Sequence, residues 1–264
     1  MAPRNKQKQI KEIIKCGKDP IYFMNRYVKI QHPQRGTIDF KTYPFQDDCV
    51  SQFVDHRFNI ILKSRQLGLS TLSAAYAVWL AIFYKDKNVL VIATKLSVAM
   101  NFIKKVKTAI QGLPKWLILP EIVTNNKQSL EFSNGSTIKA VPTSDDAGRS
   151  EALSLLIVDE AAFVRNFDEL WTGLYPTLST GGRAIVLSTP NGVGGQYYDL
   201  YVKAESGENE FNPIKLMWDV HPERDDEWFD KETKNLSEKQ IAQELLCDFA
   251  ASGETFLNAE DIEY

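Results

Sequence analysis

Five short, largely apolar runs, at 59–63, 89–93, 153–159, 184–188 and 213–218, alternate along the chain with longer stretches of helical character at 70–84, 97–113, 167–178 and 194–205. The runs are rich in Ile, Val and Leu and show little alternation of polar and apolar positions, as expected of strands buried on both faces. Strand and helix signals taking turns in this way predict an α/β fold with a mainly parallel sheet and helices on both faces. One insertion interrupts the alternation: 129–132 and 137–141 flank an Asn134-Gly135 pair. Asn-Gly between two such runs is a strong hairpin signal, and the hairpin is expected to add an antiparallel edge. Residues 1–41 read as an entry segment or small lobe, 42–250 as the core and 251–264 as a tail, with helices ending in a loop over 225–264.

Composition narrows the class. A chain of 264 residues with 44% hydrophobic content can bury one substantial α/β core. No stretch approaches the roughly 20 uncharged apolar residues of a membrane span, and the basic N-terminus lacks the apolar core of a signal peptide. A cytoplasmic protein is therefore expected. Three widely spaced cysteines, Cys16, Cys49 and Cys247, form neither a disulfide framework nor a zinc pattern, and are expected to be reduced and structural. A net charge of −3 excludes a surface that grips phosphate backbones everywhere, so any nucleic-acid contact must be local. The basic segment containing Lys6, Lys8, Lys11 and Lys15 is one candidate contact; an amphipathic helix with Ile10, Ile13 and Ile14 on one face accounts for it equally.

Candidate chemistry begins after the first strand run. The segment Lys63-Ser64-Arg65-Gln66-Leu67-Gly68-Leu69-Ser70-Thr71 lies between a strand and a helix, the context in which backbone N–H groups and a helix N-terminus cradle phosphates. Aligned with the phosphate-loop pattern GxxxxGK[ST], it places Leu69 where the lysine belongs and Lys63 where the first glycine belongs. Leucine cannot neutralise phosphate charge. Lys63, at the opposite lip of the loop, and Arg65, with a planar fork suited to phosphate oxygens, are the candidate replacements. The same segment also reads as a polar strand-to-helix turn capped by Ser70 or Thr71.

The run Leu155 to Val158 ends in Asp159 and Glu160, at the strand end where open α/β sheets bind ligands. This reads as the second half of an ATP site, with Asp159 and the Ser70 hydroxyl holding Mg²⁺ and Glu160 orienting and deprotonating the attacking water. A solvated Asp-Glu turn is the structural alternative. Ser188 and Thr189, before a Pro-Asn-Gly turn, read either as a sensor of the γ-phosphate or as hydroxyls entering a turn.

Together, the SRQLG loop followed by its hydroxyl pair, the apolar run ending DEAAF and the STPNG turn resemble the ATPase domain of terminase large subunits from contractile-tailed phages. The resemblance extends to YPFQ (43–46), the EFSNGSTI hairpin (131–138) and DDAGRSEAL (145–153). It implies a P-loop NTPase fold of the RecA-like, ASCE type, with ATP and Mg²⁺ as cofactors. It also implies an ATP-driven motor for packaging viral double-stranded DNA, working in the cytoplasm of the infected host. The implied partners are the portal protein of the procapsid, the terminase small subunit and further copies of the chain in a pentameric ring, with a monomer in isolation. By the same resemblance Gln46 matches a glutamine that recognises adenine. Arg149 matches an arginine presented toward the γ-phosphate, in an arrangement worth roughly 10³ to 10⁵ in rate in comparable systems. From the residues alone, Arg149 reads equally as a loop arginine paired with Asp145, Asp146 or Glu151.

The departures are Leu69 and the absence, up to Tyr264, of the ribonuclease-H-type nuclease domain that terminase large subunits usually carry, so no nuclease activity is expected in this chain. Two other classes compete. A superfamily-two helicase normally carries two tandem cores, where this length holds one. A hydrolysis-dead docking module would have no reason to retain Lys63, Arg65 and Glu160 together.

Overall fold

The computed structural model describes residues 3–118, 120–143 and 151–253. Two helices open the chain, α1 (Pro3–Lys18) and α2 (Pro20–Tyr27), followed by a small antiparallel hairpin, β1 (Lys29–His32) and β2 (Gly36–Asp39). Helix α3 (Pro44–Asp55) leads into β3 (Phe58–Lys63), α4 (Leu69–Phe83), β4 (Asn88–Ala93) and α5 (Leu96–Gln111). Three strands follow, β5 (Ile122–Asn125), β6 (Ser129–Phe132) and β7 (Thr137–Pro142), then β8 (Leu155–Asp159), α6 (Phe167–Leu174), β9 (Arg183–Ser188), α7 (Gly195–Glu205) and β10 (Phe211–Leu216). Short helices α8 (Asp226–Thr233), α9 (Glu238–Ile241) and α10 (Phe249–Ser252) close the described chain, with a π-helical turn, Ala242–Leu246, after α9.

The main sheet has the order β10-β3-β9-β8-β4-β7-β6-β5, parallel from β10 to β7 and antiparallel from β7 to β5. Both faces are covered, and the side chains show why the strands read as continuous apolar runs. In β8, Leu155 and Ile157 join the core beneath α4 and α5, while Leu156 and Val158 join the core shared with α6 and α7. Strand β9 divides likewise, Ile185 and Leu187 to one side and Ala184 and Val186 to the other.

All nine runs singled out in the sequence form elements, with local corrections. The helix expected over 167–178 stops at Leu174 and tightens into a 3-10 turn, Tyr175–Leu178, because Pro176 has no N–H and its ring crowds the preceding turn. The last parallel strand lies at 211–216 rather than 213–218, since Trp218–Val220 is already a 3-10 turn. The hairpin is not wholly an edge addition: β7 pairs in parallel with β4, so it continues the sheet and only β6 and β5 are antiparallel. Gly135 makes the turn with φ +81°, its backbone set against Asp86, and a side chain there would be strained. Helix α3, the β1–β2 hairpin and β5 had no counterpart in the apolar pattern. Segments 1–41 and 44–55 contribute Cys16, Phe23, Met24, Phe40, Val50 and Phe53 to the same core as α4 and α5. The three cysteines are buried and unpaired. Among the described residues, no helix is long and apolar enough to cross a membrane.

Candidate nucleotide site

Parallel pairing brings the carboxyl ends of β3, β9 and β8 to one rim. Leu62 lies opposite Ser188, and Asp159 opposite Leu187. Strand β9 therefore separates the loop strand from the acidic strand by two inter-strand spacings, close to roughly 10 Å in all. Lys63 spans that gap. Its side chain is only 6% exposed, and its Nζ donates to Glu160 Oε1 at 3.0 Å. Glu160 is held in the left-handed region (φ +55°, ψ +47°), a conformation that costs a non-glycine residue energy and that concentrates at functional sites. The strand end turns sharply there, and the Ser188 hydroxyl on β9 accepts from the Ala162 N–H at 3.1 Å, pinning the turn. Ser188 and Thr189 are both buried. The Tyr197 hydroxyl, donating to the Ile61 carbonyl at 2.7 Å and lying 3.4 Å from the Ser188 carbonyl, ties β3 to β9 just below the rim.

Asp159 is 5% exposed, and burial first, then the neighbouring Glu160 charge, push its carboxyl above the usual aspartate range; Lys63 and the Ser70 hydroxyl act in the opposite direction. Its Oδ1 is buried without a hydrogen-bond partner among the described residues. A buried, unpaired carboxylate oxygen beside a helix-start hydroxyl fits a hard cation with oxygen ligands such as Mg²⁺.

The loop itself alternates. Arg65, Gln66 and Gly68 are exposed, Ser64, Leu67 and Leu69 buried, and Ser70 and Thr71 lie in the first turn of α4. Gly68 caps α4 at φ +74°, and a Cβ on it would stand 2.9 Å from Gln46 Nε2. Thr71 N and Leu72 N donate to the Gly68 carbonyl at 3.0 and 2.9 Å, and the N–H groups of Leu69 and Ser70 together with the helix dipole make this end a place for an anion. Leu69, which occupies the usual lysine position, is 2% exposed and packed into the core, so its replacement is structural and not a vacancy at the phosphates.

Gln46 lies behind the loop. Its Nε2 donates to the Leu67 carbonyl at 2.9 Å and its Oε1 accepts from the Tyr43 N–H at 3.1 Å. Both ends of the amide thus serve the protein, and reading a base edge would mean exchanging these bonds. Tyr43 and Phe45 stack at 5.9 Å between ring centroids, with His221 4.4 Å from Tyr43. Arg149, Asp145 and Asp146 lie outside the described residues; Glu151, an alternative partner for that arginine, is bonded by Asn88 and paired with Lys139 at 3.3 Å.

The C-terminal segment supplies residues that no local motif announced. Glu244 pairs with Arg65 at 3.2 Å, its carbonyl accepts from Arg65 N and Ser64 Oγ, and Arg224 donates to the carbonyls of Arg65 and Gln66. These contacts bridge long stretches of chain, 159 residues between Arg224 and Arg65 and 180 between Glu244 and Ser64.

A family model described as terminase large subunit, T4likevirus-type, N-terminal, matches residues 60–264. The chain belongs to the terminase large subunit family. Solved structures agree on the fold. The ATPase domain of the Thermus phage P74-26 large terminase is 21% identical, with a TM-score of 0.68 over 80% of this chain and 95% of that one. The HK97 bacteriophage large terminase is 17% identical at TM-score 0.64, over 93% of this chain and 50% of that one. A large terminase from a thermophilic bacteriophage, in complex with ADP, is 12% identical at TM-score 0.62, over 75% of this chain and 50% of that one. This terminase chain thus spans about half the length of the latter two proteins it matches, and its mainly parallel sheet with two covered faces is the P-loop NTPase-like fold of terminase ATPase domains.

Proposed function

We propose that this domain hydrolyses ATP with Mg²⁺ and that hydrolysis drives double-stranded DNA into a procapsid. The observation that carries the reading is the Lys63–Glu160 pair at the shared rim of β3 and β8, with the unpartnered Asp159 oxygen beside it. Family membership supports the packaging role, and the complexes of the thermophilic-phage large terminase with ADP and ATP-γ-S support a nucleotide at such a site.

In this reading the phosphates lie against the N-terminus of α4, where the backbone N–H groups from Gln66 to Ser70 and the cations Lys63 and Arg65 meet their charge. Asp159 and the Ser70 hydroxyl would hold Mg²⁺, which when bound supplies positive charge to the phosphoryl oxygens. Glu160 accepts a proton from the water that attacks in line, and Lys63, released from it, stays with the phosphates. Ser188, through the Ala162 N–H, carries any movement of the Glu160 turn into β9. Gln46 sets the loop's shape from behind and, once its bonds exchange, meets the base. Arg149 completes the charge at the γ-phosphate from its own or a neighbouring subunit. The portal protein, the terminase small subunit and a pentameric ring of this chain on the portal are the proposed partners, and residues 42–250 the proposed motor core.

Steady-state turnover of the wild type, Lys63→Ala and Glu160→Gln, measured with nucleotide affinity, tests the reading. Glu160→Gln should bind ATP while losing roughly 10² to 10⁴ in turnover, and Lys63→Ala should lose affinity as well. A wild type that binds no ATP, or a Glu160→Gln variant with full turnover, overturns it.

A further inference from the structure

Away from the phosphate loop, helix α1 turns Ile13 and Cys16 toward the core, whereas Ile10 and Ile14 are 48% and 52% exposed. A spacing of four residues sets Lys6, Ile10, Ile14 and Lys18 along one ridge, with Lys11 beside it. The three lysines are exposed. Over its length α1 carries six basic residues and one acid, a net charge of +5. That acid, Glu12, is engaged by the hydroxyls of Tyr22 and Tyr27. Within one chain α1 packs on α2 and against Trp79 and Phe83 of α4, and its outer ridge is left bare.

Residues 217–232 are the converse, with seven acids against two basic residues and a net charge of −5. Helix α8, inside this stretch, buries no residue. Trp218 packs on Trp228 and Phe229, with ring centroids 6.0 and 4.7 Å away, yet none of the three belongs to either buried core cluster. Met217 beside them is 36% exposed, and Glu227 and Asp230, one turn apart on α8, are exposed. Apolar surface rimmed by charge marks a contact site, and here two such surfaces carry opposite signs. A duplex backbone answers the lysines of α1 but offers nothing to Ile10 and Ile14; the acidic aromatic stretch supplies both a charge and an apolar partner.

We propose that the exposed ridge of α1 is a docking surface for a second copy of this chain, and that its occupant there is the acidic aromatic stretch 217–232. Ile10 and Ile14 meet Met217 and the outer edge of the aromatic cluster, and Lys11 and Lys18 meet Glu227 and Asp230. A contact between two different patches can repeat head to tail, as a ring requires, so this surface deepens the proposed ring of copies and rests on it. The strip is about 24 Å long and about 10 Å wide, well short of the roughly 800 Å² per partner of a stable interface. Alone it holds copies together weakly, and salt loosens it.

Sedimentation equilibrium of the full chain without nucleotide, at concentrations up to roughly 1 mM, tests the contact. Wild type should associate reversibly, and less so as salt rises from about 0.05 to about 0.5 M. Lys11→Glu/Lys18→Glu and Glu227→Lys/Asp230→Lys should each weaken self-association roughly ten-fold. Mixed in equal amounts, the two charge-reversed proteins should associate with each other about as strongly as wild type, which a misfolded variant could not do. Ile10→Ser/Ile14→Ser should also weaken association while leaving the thermal midpoint unchanged, because both side chains are exposed. A wild type that stays monomeric, association indifferent to both reversals, or no recovery on mixing overturns the contact. So does a Lys11→Glu/Lys18→Glu variant that self-associates normally but loses affinity for duplex DNA, which would make α1 a nucleic-acid contact. Wild-type copies that associate through other faces overturn this contact and leave the ring standing, and ATP turnover is judged separately from either.

Discussion

Lys63 and Glu160 come from segments 97 residues apart and meet at 3.0 Å, the lysine almost wholly buried and the carboxylate one-third exposed. That asymmetry decides what each loss costs. Removing Glu160 leaves a buried ammonium without its partner, whereas removing Lys63 leaves a carboxylate that water can reach. Glu160→Ala should therefore lower stability by about 1–3 kcal/mol, Lys63→Ala by less, and Glu160→Gln least, since an amide oxygen still accepts from Nζ. Thermal midpoints at pH 7 check the order, and a Lys63→Ala variant less stable than Glu160→Ala refutes it.

Leu69 gives the second prediction. The residue is packed into the core under the first turn of α4, so Leu69→Lys does not return a lysine to the phosphates but buries one among apolar side chains. The variant should lose about 2–4 kcal/mol of stability and gain no turnover. Restored or increased ATPase activity at unchanged stability would show that the missing lysine, rather than Lys63, limits the site.

The legibility of this site in the sequence followed how local each feature is. The strand runs, the Asn134-Gly135 turn and the Asp159-Glu160 step each carry their signal within a few residues, and each run forms a strand, the last shifted from 213–218 to 211–216. Lys63 was also legible, because a displaced cation at the end of a strand stands out against the phosphate-loop pattern. Leu69 was legible as a departure but not as a core residue, because a single leucine in a helix start does not reveal which face it presents. Glu244 and Arg224 were not legible at all: Glu244 reaches the loop from a π-turn and Arg224 from the irregular stretch between the 3-10 turn Trp218–Val220 and α8, and nothing in their own neighbourhood marks them. Helix α3 was not singled out, although Phe45, Cys49, Val50 and Phe53 recur at helical spacing on its buried face.

Gln46 distinguishes two roles by experiment. Both ends of its buried amide hold the protein, one at Leu67 of the loop and one at the start of α3. If its first task is to shape the loop, Gln46→Ala weakens ATP and GTP alike, by roughly ten-fold for about 1.4 kcal/mol of lost hydrogen bonding. If the amide turns to the base on binding, the variant loses ATP affinity while GTP affinity is unchanged. Competition binding with the two nucleotides separates these outcomes.

The proposed metal dependence can be tested at Asp159, whose buried Oδ1 has no hydrogen-bond partner among the described residues. A ligand present at roughly 100 times its dissociation constant stabilises the folded state by about 2.7 kcal/mol. Wild-type protein should show a stabilisation of this order with ATP and Mg²⁺ together, and much less with ATP and a chelator. Asp159→Asn should bring the two conditions close together. Equal stabilisation by ATP with and without the metal, in the wild type, would remove Asp159 from the metal site.

Glu12 ties the entry helices to one another, and its pH dependence is of the opposite kind to that of a buried, unpaired acid. Its Oε1 accepts from the hydroxyls of Tyr22 at 2.6 Å and Tyr27 at 2.8 Å, and these two bonds, that of Tyr22 the larger influence, hold its carboxyl below the ordinary value of 4.5. A carboxyl whose folded pKa is depressed binds its proton more weakly in the folded state than in the unfolded one. Its contribution is therefore fully present above the unfolded value and is lost as pH falls through the folded one. Glu12→Gln should consequently be less stable than wild type at pH 7, with the difference shrinking toward zero as pH is lowered below about 4. Thermal midpoints of the two proteins, compared at neutral pH and at successively lower pH down to about 3.5, follow that change. A gap that stays constant across that range would mean that the two hydroxyls favour the carboxylate no more than the amide.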